Sequence, residues 1–181
     1  MNFLELVKTR QSVRKYSPQA IEPEKIEQCI EAARLAPSAC NSQPWKFIVL
    51  NDEDIKNKVA RETYNMVVQF NKFVVEAPMI VVLMMEKPKV ISQIGGRIKN
   101  KDFYLMDVGI AAEHFCLQAT ELGLGTCILG WFNEKKIAEI LKIPKNKRIG
   151  LIITVGYPQD NIIRTKIRKS TQEVLKINSY D

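Results

Sequence analysis

Residues 102–131 read DFYLMDVGIAAEHFCLQATELGLGTCILGW and contain the strongest helical pattern of the chain. Apolar and small residues recur at helical spacing up to Leu122, which predicts a helix over residues 102–122 that ends at Gly123. A strand is predicted directly afterwards, over residues 126–131. The glycines near this junction are spaced G-x-G-x₄-G and follow a helix, which is the reverse of the order in a dinucleotide-binding turn. The segment therefore argues against a Rossmann domain.

The other predicted elements also mix helices and strands without regular βαβ alternation. Strands are predicted at residues 47–50, 78–85 and 149–155, with an added edge strand at 173–175. Helices are predicted at residues 2–9, 23–36, 52–64 and 134–141, with a further helix running on to Val75. Residues 87–101 are polar and basic and contain two adjacent glycines, so they are predicted to be a mobile connection. This order favours an α+β fold, in which helices cover a sheet.

Length and composition limit the class of protein. The 181 residues are predicted to form one domain over residues 1–181, with 46% hydrophobic residues to supply its core. The longest apolar run, residues 77–85, is too short to cross a bilayer, and no secretory signal is recognised. The four cysteines are far apart, which disfavours zinc and a disulfide framework and favours a reduced cytoplasm. The net charge of +7 attracts anions, which leaves phosphorylated cofactors, anionic substrates and nucleic acid open.

Two short basic segments place phosphate-binding groups at every second position. The first is Arg10-Gln11-Ser12-Val13-Arg14, and the second runs from Lys166 to Lys169 and includes Arg168. In an extended chain alternate side chains project to the same side. Guanidinium groups bind phosphate oxygens in bidentate fashion, and a hydroxyl adds a neutral donor. The pattern suggests a site for a phosphomonoester, and the alternative is two solvated basic runs.

A loop of small and polar residues is predicted between two elements, over residues 36–45, which read APSACNSQPW. Small side chains allow a flat ligand to approach the backbone closely. Asn41 and Gln43 each offer a donor and an acceptor, which suits a planar heterocycle with alternating carbonyl and N–H groups. The alternative is an Asx-turn that joins a helix to a strand, with Trp45 in the core.

The sequence offers no evident acid, base or nucleophile. His114 is the only histidine, and it lies in the middle of a predicted helix. The G-x-S-x-G motif is missing, and Cys40 has no basic neighbour to activate its thiol. A phosphate site and a flat-ring site without catalytic side chains make sense if a cofactor carries out the reaction.

Taken in series, these segments resemble the nitroreductase-like flavoproteins, the FMN-dependent NAD(P)H oxidoreductases. The resemblance spans nearly the whole chain. It rests on Arg10-x-Ser12-x-Arg14-x-Tyr16, Ala36-Pro37-Ser38-Ala39-x-Asn41-x-Gln43-Pro44-Trp45-x-Phe47, Ala77-Pro78, Asp107-x-Gly109-x-Ala111, Leu122-Gly123-Leu124-Gly125-Thr126, Gly156-Tyr157-Pro158 and Lys166-x-Arg168.

The resemblance implies a central, mostly antiparallel sheet flanked by helices, in an intertwined homodimer with FMN at the subunit interface. It implies that the FMN phosphate is held by Arg10, Ser12, Lys166 and Arg168. Arg14 is expected along the ribityl-to-pyrimidine side, where its charge stabilises the reduced flavin.

The resemblance also assigns residues to the isoalloxazine ring. Residues expected to line the ring from the other subunit are Pro37, Ser38, Ala39 and Asn41, with Gln43 in the same loop. Leu129 and Gly130 are expected to present backbone to the N5 region, and Asn71 to reach the pyrimidine edge. No metal site is expected.

The implied function is a ping-pong oxidoreductase. Hydride from NADH or NADPH is passed by FMN to a nitroaromatic, a quinone or a related acceptor. The alternative is a flavin-binding carrier or redox sensor without significant turnover. A nucleic-acid-binding module is disfavoured because the basic residues are not interleaved with aromatic ones.

Overall fold

The computed structural model describes residues 1–87, 96 and 100–180. Within that part of the chain, four strands form an antiparallel sheet in the order β1-β2-β4-β3. The strands are β1 (Trp45–Leu50), β2 (Met79–Met85), β3 (Gly125–Leu129) and β4 (Arg148–Gly156). The two edge strands, β1 and β3, are therefore separated by β2 and β4.

Helices lie on both faces of this sheet. They are α1 (Phe3–Thr9), α2 (Pro23–Arg34), α3 (Glu53–Arg61), α4 (Phe103–Glu121), α5 (Glu134–Ile140) and α6 (Thr171–Val174), with 3₁₀ turns at Ala39–Asn41 and Lys72–Glu76. Together with the antiparallel sheet, they confirm the α+β architecture expected from the sequence.

The central strand β2 shows why the sheet is covered on both faces. Val81 and Leu83 pack into one hydrophobic cluster with residues of α2 and α4. Ile80 and Val82 point to the opposite face and pack into a second cluster with residues of α3 and α5. All four side chains are fully buried. Burial of each contributes on the order of 1.5–3 kcal/mol, so a continuous apolar strand needs apolar cover on each face.

Two sequence predictions about secondary structure were wrong. In place of the helix expected to run on to Val75, the structure has the short 3₁₀ turn Lys72–Glu76. Residues 62–71, which form turns and irregular structure, separate it from α3. The edge strand expected at residues 173–175 is instead part of α6 and the residue after it. A capping box starts α6, because Ser170 Oγ accepts from Glu173 N at 3.4 Å and the Glu173 carboxylate accepts from Ser170 N at 2.7 Å. The mobile connection predicted at residues 87–101 lies largely outside the described residues.

The N-terminal segment packs against the edge strand β3. Ser12 forms a parallel bridge with Thr126, and Val13 N donates to Thr126 O at 2.8 Å. A Cβ added at Gly125 would lie 2.5 Å from Val13 Cγ2, closer than such atoms ever approach. The absence of a side chain at Gly125 therefore allows Val13 to pack directly on the strand.

Changing Gly125 to alanine should force Val13 off the strand. We expect a loss of about 1–3 kcal/mol in the free energy of unfolding, the usual cost of overpacking, measured by urea denaturation. Gly109→Ala is the matched control, because nothing lies within 4 Å of a Cβ at that helical position. The control should be neutral or stabilising by up to about 1 kcal/mol. Equal effects of the two substitutions would contradict this packing.

Candidate active site

The segment Arg10–Arg14 lies along the edge of β3. Because Val13 faces Gly125, Arg10, Ser12 and Arg14 take the alternate positions, as the sequence pattern predicts. The Arg14 guanidinium lies 5.9 Å from the centre of the Phe73 ring, within the range of a cation–π contact. The segment thus runs from Arg10 towards the 3₁₀ turn that contains Phe73.

A side chain that sequence reasoning missed joins the two ends of the chain. The Gln11 amide donates from Nε2 to Ile162 O at 2.8 Å. Its Oε1 accepts from the backbone N of Arg164 at 3.1 Å and from Arg164 Nε at 3.2 Å. Arg164 Nη2 also donates to Ser12 O. We call this set of contacts the Gln11–Arg164 clamp.

The clamp leads directly into the second basic segment. Lys166 Nζ donates to Val7 O at 3.3 Å and to Lys8 O, at the end of α1. Burial, together with the nearby charges of Arg168 and Arg10, holds the pKa of Lys166 below its usual value. Lys166 is therefore repelled by both Arg10 and Arg168, and an anion bound beside it would relieve that repulsion.

Arg10 keeps unused hydrogen-bonding capacity. Its Nη2 donates to Glu113 Oε2 on α4 at 3.1 Å, but its Nε is buried and lacks a partner in the described part of the chain. The adjacent Cys116 thiol is not a competing anion, because burial raises its pKa to about 11. Buried donors without a partner are rare in proteins. The orphaned Nε and the repelling cations fit the predicted phosphate.

Asn71 and Gly130 come together at the far end of the Arg10–Arg14 segment. Asn71 is buried, and its Nδ2 donates to Thr63 O at 3.0 Å and to Trp131 O at 3.2 Å. No described residue donates to its Oδ1, which is left to accept from a ligand. Gly130 is exposed directly after β3, whereas the Leu129 side chain is buried in the core. Leu129 can therefore offer only backbone to a ligand.

The loop before β1 is folded on itself. Cys40, Asn41 and Gln43 have φ values of 54°, 50° and 47°, a left-handed conformation in which asparagine is favoured. Ser38 Oγ accepts from Gln43 N, and Asn41 Oδ1 accepts from Gln43 Nε2, both at 2.9 Å. The Gln43 side chain therefore supports Asn41.

Helix α4 contacts the same loop through Asp107. The buried Asp107 carboxylate accepts from Ala39 N at 3.1 Å through Oδ1, while its Oδ2 is buried and has no partner in the part of the chain that the structure describes. Asp107 belongs to the D-x-G motif, but its contact with the loop was not predicted.

The loop and the basic cluster lie at diagonally opposite corners of the sheet. Trp45, where the loop enters β1, pairs with Met85, which pairs with Arg148 at the start of β4. Ser12 pairs with Thr126, which is opposite Val155 near the end of β4. Three strand spacings, about 14 Å, separate the loop from β3, and the offset along β4 is about 23 Å to Ser12 but about 10 Å to Gly130. One chain thus brings Arg10, Ser12, Arg14, Asn71, Gly130, Lys166 and Arg168 to the β3 edge, and it places residues 37–43 elsewhere.

Other kinds of site find little support in the described residues. Over residues 1–87, 96 and 100–180, no group of three or more histidine, cysteine or acidic side chains could hold a metal ion. Over the same ranges, no helix is long and apolar enough to cross a membrane. His114 Nδ1 lies 3.3 Å from Ala32 O, so the single histidine joins α4 to α2.

Comparison with known proteins gives a consistent match. The sequence profile of the Nitroreductase family matches residues 7–157. A putative NADH dehydrogenase/NAD(P)H nitroreductase of Archaeoglobus fulgidus is 34% identical over 161 residues, covering 87% of this chain and 86% of the relative. A nitroreductase family protein of Clostridium novyi NT superposes with a TM-score of 0.79 at 36% identity, covering 91% of this chain and 89% of that one. An FMN-dependent nitroreductase of Clostridium difficile R20291 superposes with a TM-score of 0.79 at 27% identity, covering 98% and 100%.

Changing Gln11 to alanine should release residues 162–164 from the N-terminal segment. The Arg164 backbone N–H loses its acceptor, so its hydrogen exchange should become roughly fivefold faster, in line with about 1 kcal/mol for one hydrogen bond. Gln11→Glu keeps an acceptor for Arg164 but loses the donor to Ile162 O, so the exchange of the Arg164 N–H should be accelerated less than in the alanine variant. NMR exchange rates on ¹⁵N-labelled protein measure both variants. An unchanged rate in the alanine variant would show that the clamp does not hold this segment.

Proposed function

The chain belongs to the nitroreductase family, and we propose that residues 1–181 form a single FMN-binding domain of an oxidoreductase that uses NADH or NADPH. The chemistry that FMN supplies when bound is two-electron transfer in two half-reactions, from the nicotinamide donor and then to a nitroaromatic, quinone or related acceptor. The observation that carries the proposal is the cluster of Arg10, Lys166 and Arg168, in which the buried Nε of Arg10 has no hydrogen-bond partner among the described residues. Such a cluster suits a terminal phosphate.

In this proposal the residues beside β3 would meet the groups of FMN in order. Arg10, Ser12, Lys166 and Arg168 hold the phosphate at one end. Arg14 follows, where its charge stabilises negative charge at the pyrimidine end of the flavin. Asn71 Oδ1 then accepts a hydrogen bond from the pyrimidine edge, and the backbone at Leu129 and Gly130 faces the N5 region.

The second half of the ring site comes from a second copy of the chain. Pro37, Ser38, Ala39 and Asn41 line the ring from the partner subunit, because the loop of the same chain leads into β1, at the opposite edge of the sheet from β3. Exposed apolar side chains on two packed helices supply a surface for that contact: Phe3 and Leu4 on α1, and Leu105, Met106 and Ile110 on α4. Exposed apolar patches of this kind mark interfaces. We infer a homodimer with two FMN sites.

The function is tested by the visible spectrum of the purified protein before and after anaerobic addition of NADH or NADPH. We expect a yellow protein whose absorbance near 450 nm is lost with at least one donor and restored by a quinone or nitroaromatic. A yellow protein that neither donor bleaches would favour the carrier or sensor function. A colourless protein that also fails to bind added FMN would contradict the proposal.

The phosphate site is tested by comparing FMN with riboflavin, which lacks the phosphate. Changing Arg10 or Arg168 to alanine should weaken FMN binding by roughly 1.5–3 kcal/mol, the scale of a charged hydrogen bond, and leave riboflavin binding unchanged. Lys169→Ala is the matched control, because Lys169 is an exposed cation next to Arg168. Fluorescence titration of the apoprotein measures both ligands. Equal losses for the two flavins, or unchanged FMN affinity in both arginine variants, would remove these residues from the phosphate site.

A further inference from the structure

A surface cleft lies between the turn that follows α3 and the start of α5. Its volume is about 450 Å³, within the range of small-ligand sites. The residues that line it include the aromatic residues Tyr64, Trp131 and Phe132 and the cations Arg61 and Lys136. The lining thus combines aromatic residues with positive charge.

The cleft adjoins the candidate ring site. Trp131 follows Gly130 directly, and its carbonyl accepts from Asn71 Nδ2 at 3.2 Å. The backbone proposed to face the flavin N5 therefore continues into the wall of the cleft. In a nicotinamide dinucleotide, the adenylate half is joined to the nicotinamide ribose through a pyrophosphate. When the nicotinamide lies on the flavin, the adenylate half needs a surface beside the ring site, and this cleft is in that position.

The aromatic wall suits a planar base. The Trp131 side chain is 56% exposed, which is high for so large an apolar residue. In the described structure its indole makes no ring contact and no hydrogen bond. A purine that stacked on this ring would cover exposed apolar area. Stacking of a base on an aromatic side chain contributes favourably to the free energy of binding.

The charges suit a phosphate. Arg61 is the last residue of α3 and is exposed, and its guanidinium has no acidic partner among the described residues. Among the described residues that line the cleft, the one carboxylate is that of Glu62, whose Oε1 lies 3.9 Å from Lys136 Nζ and is therefore compensated. The lining thus carries a net positive charge, with Arg61 free to bind phosphate oxygens.

From these observations we propose that the cleft binds the adenylate half of the nicotinamide donor, with the base on Trp131 and a phosphate on Arg61. The inference rests on the proposed function, because it places the donor of that same site. The phosphate is either the 2′-phosphate of NADPH or the pyrophosphate that NADH and NADPH share. The two sources predict different results for the same variant.

The direct test is binding of two probes, ADP and 2′,5′-ADP, to the FMN-loaded protein by calorimetry. Arg61→Ala should weaken binding of at least one probe about tenfold or more, as expected for a lost charged hydrogen bond. Trp131→Leu should weaken both probes, because both contain adenine. Lys58→Ala is the matched control, since Lys58 is an exposed cation on the same helix outside the cleft, and it should change neither probe.

The pattern of losses identifies the phosphate. A loss for 2′,5′-ADP alone, with a matching rise in the KM for NADPH and no change for NADH, assigns the 2′-phosphate to Arg61. Loss of ADP binding, with a rise in the KM for both donors, assigns the pyrophosphate, whether or not 2′,5′-ADP, which keeps only the 5′-phosphate of that group, also loses affinity. Absence of binding by both probes, or binding that is unchanged in both the Arg61 and Trp131 variants, would overturn the inference.

Probe binding also separates this inference from the proposed function. Neither ADP nor 2′,5′-ADP donates hydride, so their binding does not depend on flavin reduction. If NADH and NADPH both fail to bleach the flavin while the probes bind through Arg61 and Trp131, the proposed function fails and the nucleotide site stands. If a donor bleaches the flavin equally well in all variants and the probes do not bind, only the inference fails.

Discussion

The contact between the N-terminal segment and β3 is the constraint on which the candidate site depends. Val13 can lie flat on the strand only because Gly125 has no side chain, and that contact fixes which side chains of the segment face away from the strand. The hydrogen bond from Val13 N to Thr126 O sets the register. Arg10, Ser12 and Arg14 are thereby ordered along the edge strand that Gly130 directly follows.

The C-terminal segment depends on that contact in turn. Residues 162–166 form no regular element, and their position is set by polar contacts with the other end of the chain. Gln11 is essential to this arrangement because its amide both donates and accepts, so it fixes the direction of the segment as well as its distance. The positive charge near Arg10 is thus assembled from two regions about 150 residues apart, which explains why each alone looks like an ordinary basic run.

The sequence predicted the parts of the site that follow from local patterns. The alternation of Arg10, Ser12 and Arg14, the long helix α4 and the small-residue loop are all visible in short windows, because strand and helix periodicity are local properties. The Gln11–Arg164 clamp and the Glu113–Arg10 ion pair could not be predicted, since each joins residues more than 100 positions apart. The strand expected at residues 173–175 failed for a local reason, because the Ser170–Glu173 capping box favours a helix over the apolar pair that follows. That capping signal was present in the sequence.

The division of the site between two corners of the sheet is the central claim of this account, and a crystal structure of the protein grown with FMN tests it most directly. We expect the FMN phosphate within hydrogen-bonding distance of Arg10 and Lys166 of one chain, and residues 37–41 of a second copy against the flavin ring. A flavin enclosed by a single chain, or one whose phosphate lies away from Arg10, would contradict the account.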